Sequence, residues 1–173
     1  MDHAEKRSPQ TKRKMILDLT CGLKQIWFQK DAQNVIYLDK RKGIFENKDT
    51  GKGGWCKTDF NISPTIQADN KYLPFKDDVF DLILFDPPFL KSAQPRMITQ
   101  YGRLNPFTWT MDIGRAAKEG FRVLKQNGFF ILKWGEGYAV IKEALKLFPV
   151  KPLFGTHLNY SKHKTWWIVF RKD

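Results

Sequence analysis

Apolar positions crowd most densely at residues 79–89, read V-F-D-L-I-L-F-D-P-P-F. A β-branched and aromatic run of this kind predicts a strand buried on both faces. Two successive prolines then remove the amide donors that would continue its ladder. The chain must turn at Asp86. Comparable short runs at 15–19, 34–39 and 65–68 precede this strand, and others at 129–134, 152–158 and 165–170 follow it. Between them the apolar spacing becomes helical. Residues 23–30 carry Ile26, Trp27 and Phe28; 110–124 place Ile113, Ala116, Ala117, Phe121 and Leu124 on one face; 138–148 do the same with Val140, Ile141, Ala144, Leu145 and Phe148. Thr110 is placed to cap the second helix, Asp112 suits its first turn, and Asn127-Gly128 ends it.

Strands that alternate with helices predict an α/β fold: a Rossmann-like, doubly wound, seven-stranded and mostly parallel sheet. The polar gap at 159–164 suits a hairpin, so one strand near the C-terminus is expected to run antiparallel. Residues 40–63, rich in glycine and lysine, read as one long loop. Residues 90–108 are also irregular and carry Lys91, Arg96 and Arg103 with no acidic residue, which makes them a candidate substrate loop; Tyr101 could stack a base there. A solvated loop has the same composition. Residues 1–14 read as a flexible basic arm and 15–173 as a single domain.

Charge extends this picture. Thirty Lys and Arg against eighteen Asp and Glu give +12, a balance that attracts polyanions, so nucleic acid is the expected partner. A merely soluble basic surface would show the same excess. Two cysteines, Cys21 and Cys56, give no disulfide framework, and the three histidines have no zinc-ligand spacing. No apolar run approaches a membrane span, so an intracellular, cytoplasmic protein is expected.

Candidate chemistry gathers at strand ends, where open α/β sheets bind ligands. The run I-L-D-L-T-C-G at 16–22 puts Asp18 before a turn of Thr20, Cys21 and Gly22, and Gly22 would let the backbone approach a ligand. Asp18 would equally serve as a capping or turn residue. Asp39 follows Asp18 by 21 residues at the end of the second strand, next to Lys40. An acid there can accept both hydroxyls of a ribose, although a solvated acid before three basic residues has the same sequence. Asp69-Asn70 follows the third strand, where a simple turn is the alternative.

With Asp86-Pro87-Pro88-Phe89, these motifs resemble the class I S-adenosylmethionine-dependent methyltransferases. Within that class they are most similar to the amino-methyltransferases marked by Asp/Asn-Pro-Pro-Tyr/Phe. The resemblance spans nearly all of residues 15–171. It implies S-adenosylmethionine as cofactor, with Asp18 near its amino group and Asp39 on its ribose. Asp69 would face the adenine amino group, with a backbone amide against the ring. It also implies Asp86, Pro87, Pro88 and Phe89 as the catalytic set. An exocyclic amine is a poor nucleophile because its lone pair is delocalised into the ring. The Asp86 carboxylate and Pro87 carbonyl would draw its hydrogens and free that pair, while Phe89 stacks on the base. One departure is plain: Lys24 stands where a second glycine often does, and no G-x-G-x-x-G occurs.

The expected reaction is methyl transfer to adenine N6 of DNA. The rivals are guanine N2 or adenine N6 of ribosomal or transfer RNA, a protein glutamine amide, and a non-catalytic nucleic-acid-binding domain that kept the fold. No room remains for a large target-recognition domain, so either the loops read sequence or a second copy helps.

Overall fold

The computed structural model describes residues 13–46, 59–89, 98, 100–135, 139–156 and 165–173. In chain order its strands are β1 (Ile16–Asp18), β2 (Val35–Asp39), β3 (Gly43–Phe45), β4 (Phe60–Ile62), β5 (Ile66–Gln67), β6 (Phe80–Phe85), β7 (Leu124–Gly135), β8 (Phe154–Gly155) and β9 (Thr165–Arg171). Among the described residues, helices α1 (Trp109–Val123) and α2 (Ile141–Leu145) accompany them. Seven strands form one sheet in the order β5-β2-β1-β6-β7-β9-β8. Only β9 runs against its neighbours; every other pairing in that sheet is parallel. The doubly wound, mostly parallel sheet expected from the sequence is therefore present. Its order reverses between β1 and β6, which pair side by side with Asp18 opposite Leu84. A crevice opens at such a reversal, outside the carboxyl ends of the two strands.

The central strands are apolar because both faces are covered. Leu17, Leu38, Ile83 and Phe85 are buried in β1, β2 and β6. α1 buries Ile113, Ala116, Ala117, Gly120 and Phe121 against the sheet. Phe121 stacks on Phe130 with ring centroids 5.2 Å apart, and Phe148 stacks on Phe170 at 4.5 Å. Phe130 meets Phe148 and Phe170 edge-on, so one ring system joins α1, β7, β9 and the turn after α2.

Charged contacts fasten the amino-terminal ends of the parallel strands. Asp81 accepts hydrogen bonds from Lys14, the Met15 amide and Lys125. Burial works against its charge, but these donors outweigh it and hold the carboxyl at about 2. Lys172 reaches Asp78 and the Leu124 carbonyl, and Arg122 binds Glu119, Asp77 and two carbonyls of the 73–75 turn.

Several expectations are corrected. Residues 23–30 are a series of turns, not a helix. Gly22 and Lys24 both have positive φ, 47° and 54°, which breaks helical propagation at its first step. The long loop at 40–63 contains a small antiparallel sheet, with Ile44 opposite Asn61 and the Phe45 and Phe60 rings stacked at 5.7 Å. Helix α1 begins earlier than Thr110. Its cap is Thr108, whose hydroxyl donates to Asp112 instead of accepting an amide. The strand after it starts at Leu124, with Asn127 at φ 61° inside an irregular stretch of β7. Among the described residues, the helix expected at 138–148 covers only Ile141–Leu145 and the strand expected at 152–158 only Phe154–Gly155; residues 138, 157 and 158 lie outside them. Of the flexible basic arm expected at 1–14, residues 1–12 lie outside the described residues, while Lys14 is held by Asp81 and Asn34; the polar gap at 159–164 also lies outside them.

Gly120 lies where α1 meets the aromatic cluster, and a Cβ added there would fall 2.5 Å from the Phe130 ring. That ring is buried among four others, so Gly120→Ala should overpack the core and destabilise the fold by about 1–3 kcal/mol despite alanine's helix preference. Urea denaturation checks this; an unchanged or higher midpoint would show that the ring can move aside.

Candidate active site

The crevice at the reversal of strand order is a cavity of about 470 Å³, within the ~300–1,000 Å³ range of ligand sites. Its walls come from the turn after β1, the ends of β2, β5 and β6, the 100–105 segment and the start of α1.

The first wall depends on Asp18. Its carboxylate is fully buried and accepts from the Thr20 amide at 3.0 Å and from the Trp27 indole at 2.7 Å. Burial pushes its pKa up to about 6, the two donors pull it down, and the charges of Asp86 and Asp39 add to the rise. The same turn reaches the neighbouring strand: the Thr20 hydroxyl accepts the Asp86 amide at 2.9 Å. Thr20, Cys21 and Gly22 line the cavity, whereas Asp18 sits behind them. Burial pushes the Cys21 thiol up to about 12, which makes it inert as a nucleophile at neutral pH.

Asp39 lies at the end of β2, as the 21-residue spacing from Asp18 requires. Its Oδ2 accepts the Gly22 amide at 3.0 Å. The Arg41 guanidinium also covers it, with Nε 3.1 Å from Oδ1 and Nη2 3.2 Å from Oδ2, while Nη1 donates to the Gln100 carbonyl. Lys40 lines the cavity beside them. Asp69 accepts the Lys71 amide, and Asn70 reaches the Leu19 carbonyl at 3.5 Å. The Lys71 ammonium bridges toward Asp112 at the start of α1, at 3.0 Å.

Across the cavity stand Asp86, Pro87, Pro88 and Phe89. Burial raises the Asp86 pKa, and the ammonium of Lys133 partly offsets this by an ion pair of 2.6 Å to Oδ2. Phe89 packs so closely on β7 that a Cβ at Gly135 would fall 2.4 Å from its ring. Gly102, at φ 81°, lets the 100–105 segment lie against Pro88. Tyr101 and Arg103 line the cavity from that segment, and the Tyr101 hydroxyl donates to Gln25. Lys91 and Arg96 lie outside the described residues.

Sequence reasoning did not single out Arg41, Lys71 or Gly135 for this site. Lys133 had one signal, a cation at the carboxyl end of an apolar strand. Arg41 was hidden within Lys40-Arg41-Lys42.

No protein-family model matches the chain, and no curated protein matches it. Solved structures do. A protein from Pyrococcus horikoshii aligns over 94% of this chain and 83% of its own, with 14% identity and a TM-score of 0.55. A SAM-dependent methyltransferase from Methanosarcina mazei aligns over 94% and 93%, at 15% identity and a TM-score of 0.53. One from Thermotoga maritima covers 95% and 84%, at 14% and 0.53. The chain has the fold of the S-adenosylmethionine-dependent methyltransferases.

Asp18 also sets a pH dependence. Its folded value of about 6 lies above the ordinary 3.8. The folded state therefore binds the proton more tightly, and the resulting stabilisation is full below about pH 4 and lost as pH rises through 6. Asp18→Asn imitates the protonated form. Between pH 4 and 7 the wild type should lose about 2–3 kcal/mol relative to that variant in urea titrations. A flat difference would mean that Asp18 is ordinary.

Proposed function

We propose that this protein is an S-adenosylmethionine-dependent methyltransferase acting on an exocyclic amino group of a nucleic-acid base, with adenine N6 of DNA as first target. The observation that carries the reading is Asp86. Its carboxylate lies on the cavity wall at the end of β6, with Oδ1 free of any donor among the described residues, beside Pro87 and Phe89.

The donor set suits the cofactor. Asp39 offers a carboxylate for a ribose diol and the Gly22 turn gives close backbone approach; the Arg41 guanidinium must shift or share Asp39 for the diol to bind. When bound, the cofactor would supply a methyl group to the amine nitrogen, the bonding pair staying with sulfur, and the amine proton would leave to the Asp86 carboxylate or to water. Asp86 accepts one amine hydrogen and opposes the positive charge that grows on nitrogen. The Pro87 carbonyl accepts the other. Phe89, seated against Gly135, holds the base in plane, and alignment supplies much of the rate gain. A base in a duplex must first be flipped out, at lower cost where it is unpaired. The net charge of +12 supports a polyanionic substrate.

Labelled methyl transfer to DNA, RNA and protein in parallel, followed by nucleoside analysis, tests the reading. N6-methyladenine in DNA is expected; N2-methylguanine in RNA as sole product would replace the first target. Asp86→Ala should lower turnover by about 10²–10⁴-fold and leave cofactor binding nearly intact. Asp39→Ala should do the converse, weakening binding in calorimetry by about 10-fold or more. Absence of cofactor binding to the wild type would leave only a nucleic-acid-binding domain.

A further inference from the structure

Lys133 occupies a position that the proposed chemistry does not by itself require. It sits near the end of β7, in register with Trp167 of β9, and lines the cavity. Its ammonium lies 2.6 Å from Asp86 Oδ2, 5.7 Å from the centroid of the Phe89 ring and 6.0 Å from that of Trp167. Both members of the ion pair are about four-fifths shielded, at 20% and 19% side-chain exposure. Lysine carries three N–H donors, and only one finds an acceptor among the described residues. Asp86 Oδ1 likewise has no donor among them. The pair thus presents an acceptor and donors side by side near the Phe89 ring.

That arrangement has a chemical complement. An amino group conjugated to a ring nitrogen offers a donor next to an acceptor, as N6 does with N1 or N7 in adenine, N4 with N3 in cytosine and N2 with N3 in guanine. A free alkylamine has no separate acceptor flanking its nitrogen and, when protonated, brings a second positive charge beside the ammonium. Resting on the methyltransferase reading above, we propose that Lys133 is a specificity-determining residue. Its ammonium donates to the ring nitrogen flanking the target amine while Asp86 accepts from the amine itself. The site therefore selects aromatic amines of the nucleobase type over aliphatic ones. Donation to the ring draws electron density away from the amine, so Lys133 contributes to binding and leaves activation to Asp86. Its loss should appear in KM more than in kcat.

The test uses the DNA that shows transfer, with the target adenine replaced by 1-deazaadenine or 7-deazaadenine; for a guanine product the probe is 3-deazaguanine. The wild type should lose about 10-fold or more in kcat/KM on one analogue, mainly through KM. Lys133→Met should be slower on the natural base by a similar factor and treat base and analogue alike. Lys133→Arg, which keeps the donors, should retain the discrimination. Equal rates on all analogues in the wild type overturn the proposal whether or not the variants fold, and so does a Lys133→Met protein that still discriminates. Failure of transfer to every unmodified nucleic acid overturns the methyltransferase reading and this inference with it. Transfer to the base with no analogue effect overturns the inference alone.

Discussion

Asp18 has every oxygen removed from water and, among the described residues, no salt bridge to compensate. A carboxylate in that position persists only if hydrogen bonds replace its hydration, and the donors it uses are the Thr20 amide and the Trp27 indole. The first keeps the chain tightly turned as it leaves β1. The second draws residues 23–27 back over the strand end, where Trp27 packs edge-on against Tyr37 at 5.4 Å. Because Thr20 also takes the Asp86 amide, the geometry that satisfies Asp18 carries through to the end of β6. The two halves of the cavity are thereby tied across the place where the sheet reverses.

This dependence explains which parts of the chain were legible from sequence. The strands around β1, β2 and β6, the helix α1 and the antiparallel β9 follow from apolar run length and spacing. Those signals are strong because the sheet is covered on both faces. The segment after β1 misled for a physical reason: Leu23, Ile26 and Trp27 fall at i, i+3 and i+4, yet the adjoining Phe28 is fully exposed and Trp27 serves a buried acid. Nothing local announces that Lys24 adopts a left-handed backbone. The β3 and β4 strands are three residues each, too short for alternation to show.

The site was half visible. Asp39 and Asp86 stand at strand ends that the pattern locates, so their meeting in one cavity needed only the strand order. The pairing of Asp86 with Lys133 spans 47 residues and depends on the register between β6 and β7, with Phe85 opposite Leu132. The Arg41 cover on Asp39 depends on a side-chain rotamer beside the strand end. Neither kind of information is written in composition or spacing.

The ion pairs around Asp81, Arg122 and Lys172 lie at the end of the sheet away from the cavity. They bind both ends of the described chain, through Lys14 and Lys172, to the starts of β6 and β7. These ion pairs are thus spatially separate from what would perform chemistry, unlike the Asp18 and Thr20 contacts at the cavity itself. The closed end can accumulate or lose charge, and the molecule can grow sturdier or frailer, without a change at the mouth of the crevice. A fold divided in this way leaves the loops at the open end free to diverge toward new targets while the base of the sheet keeps its shape.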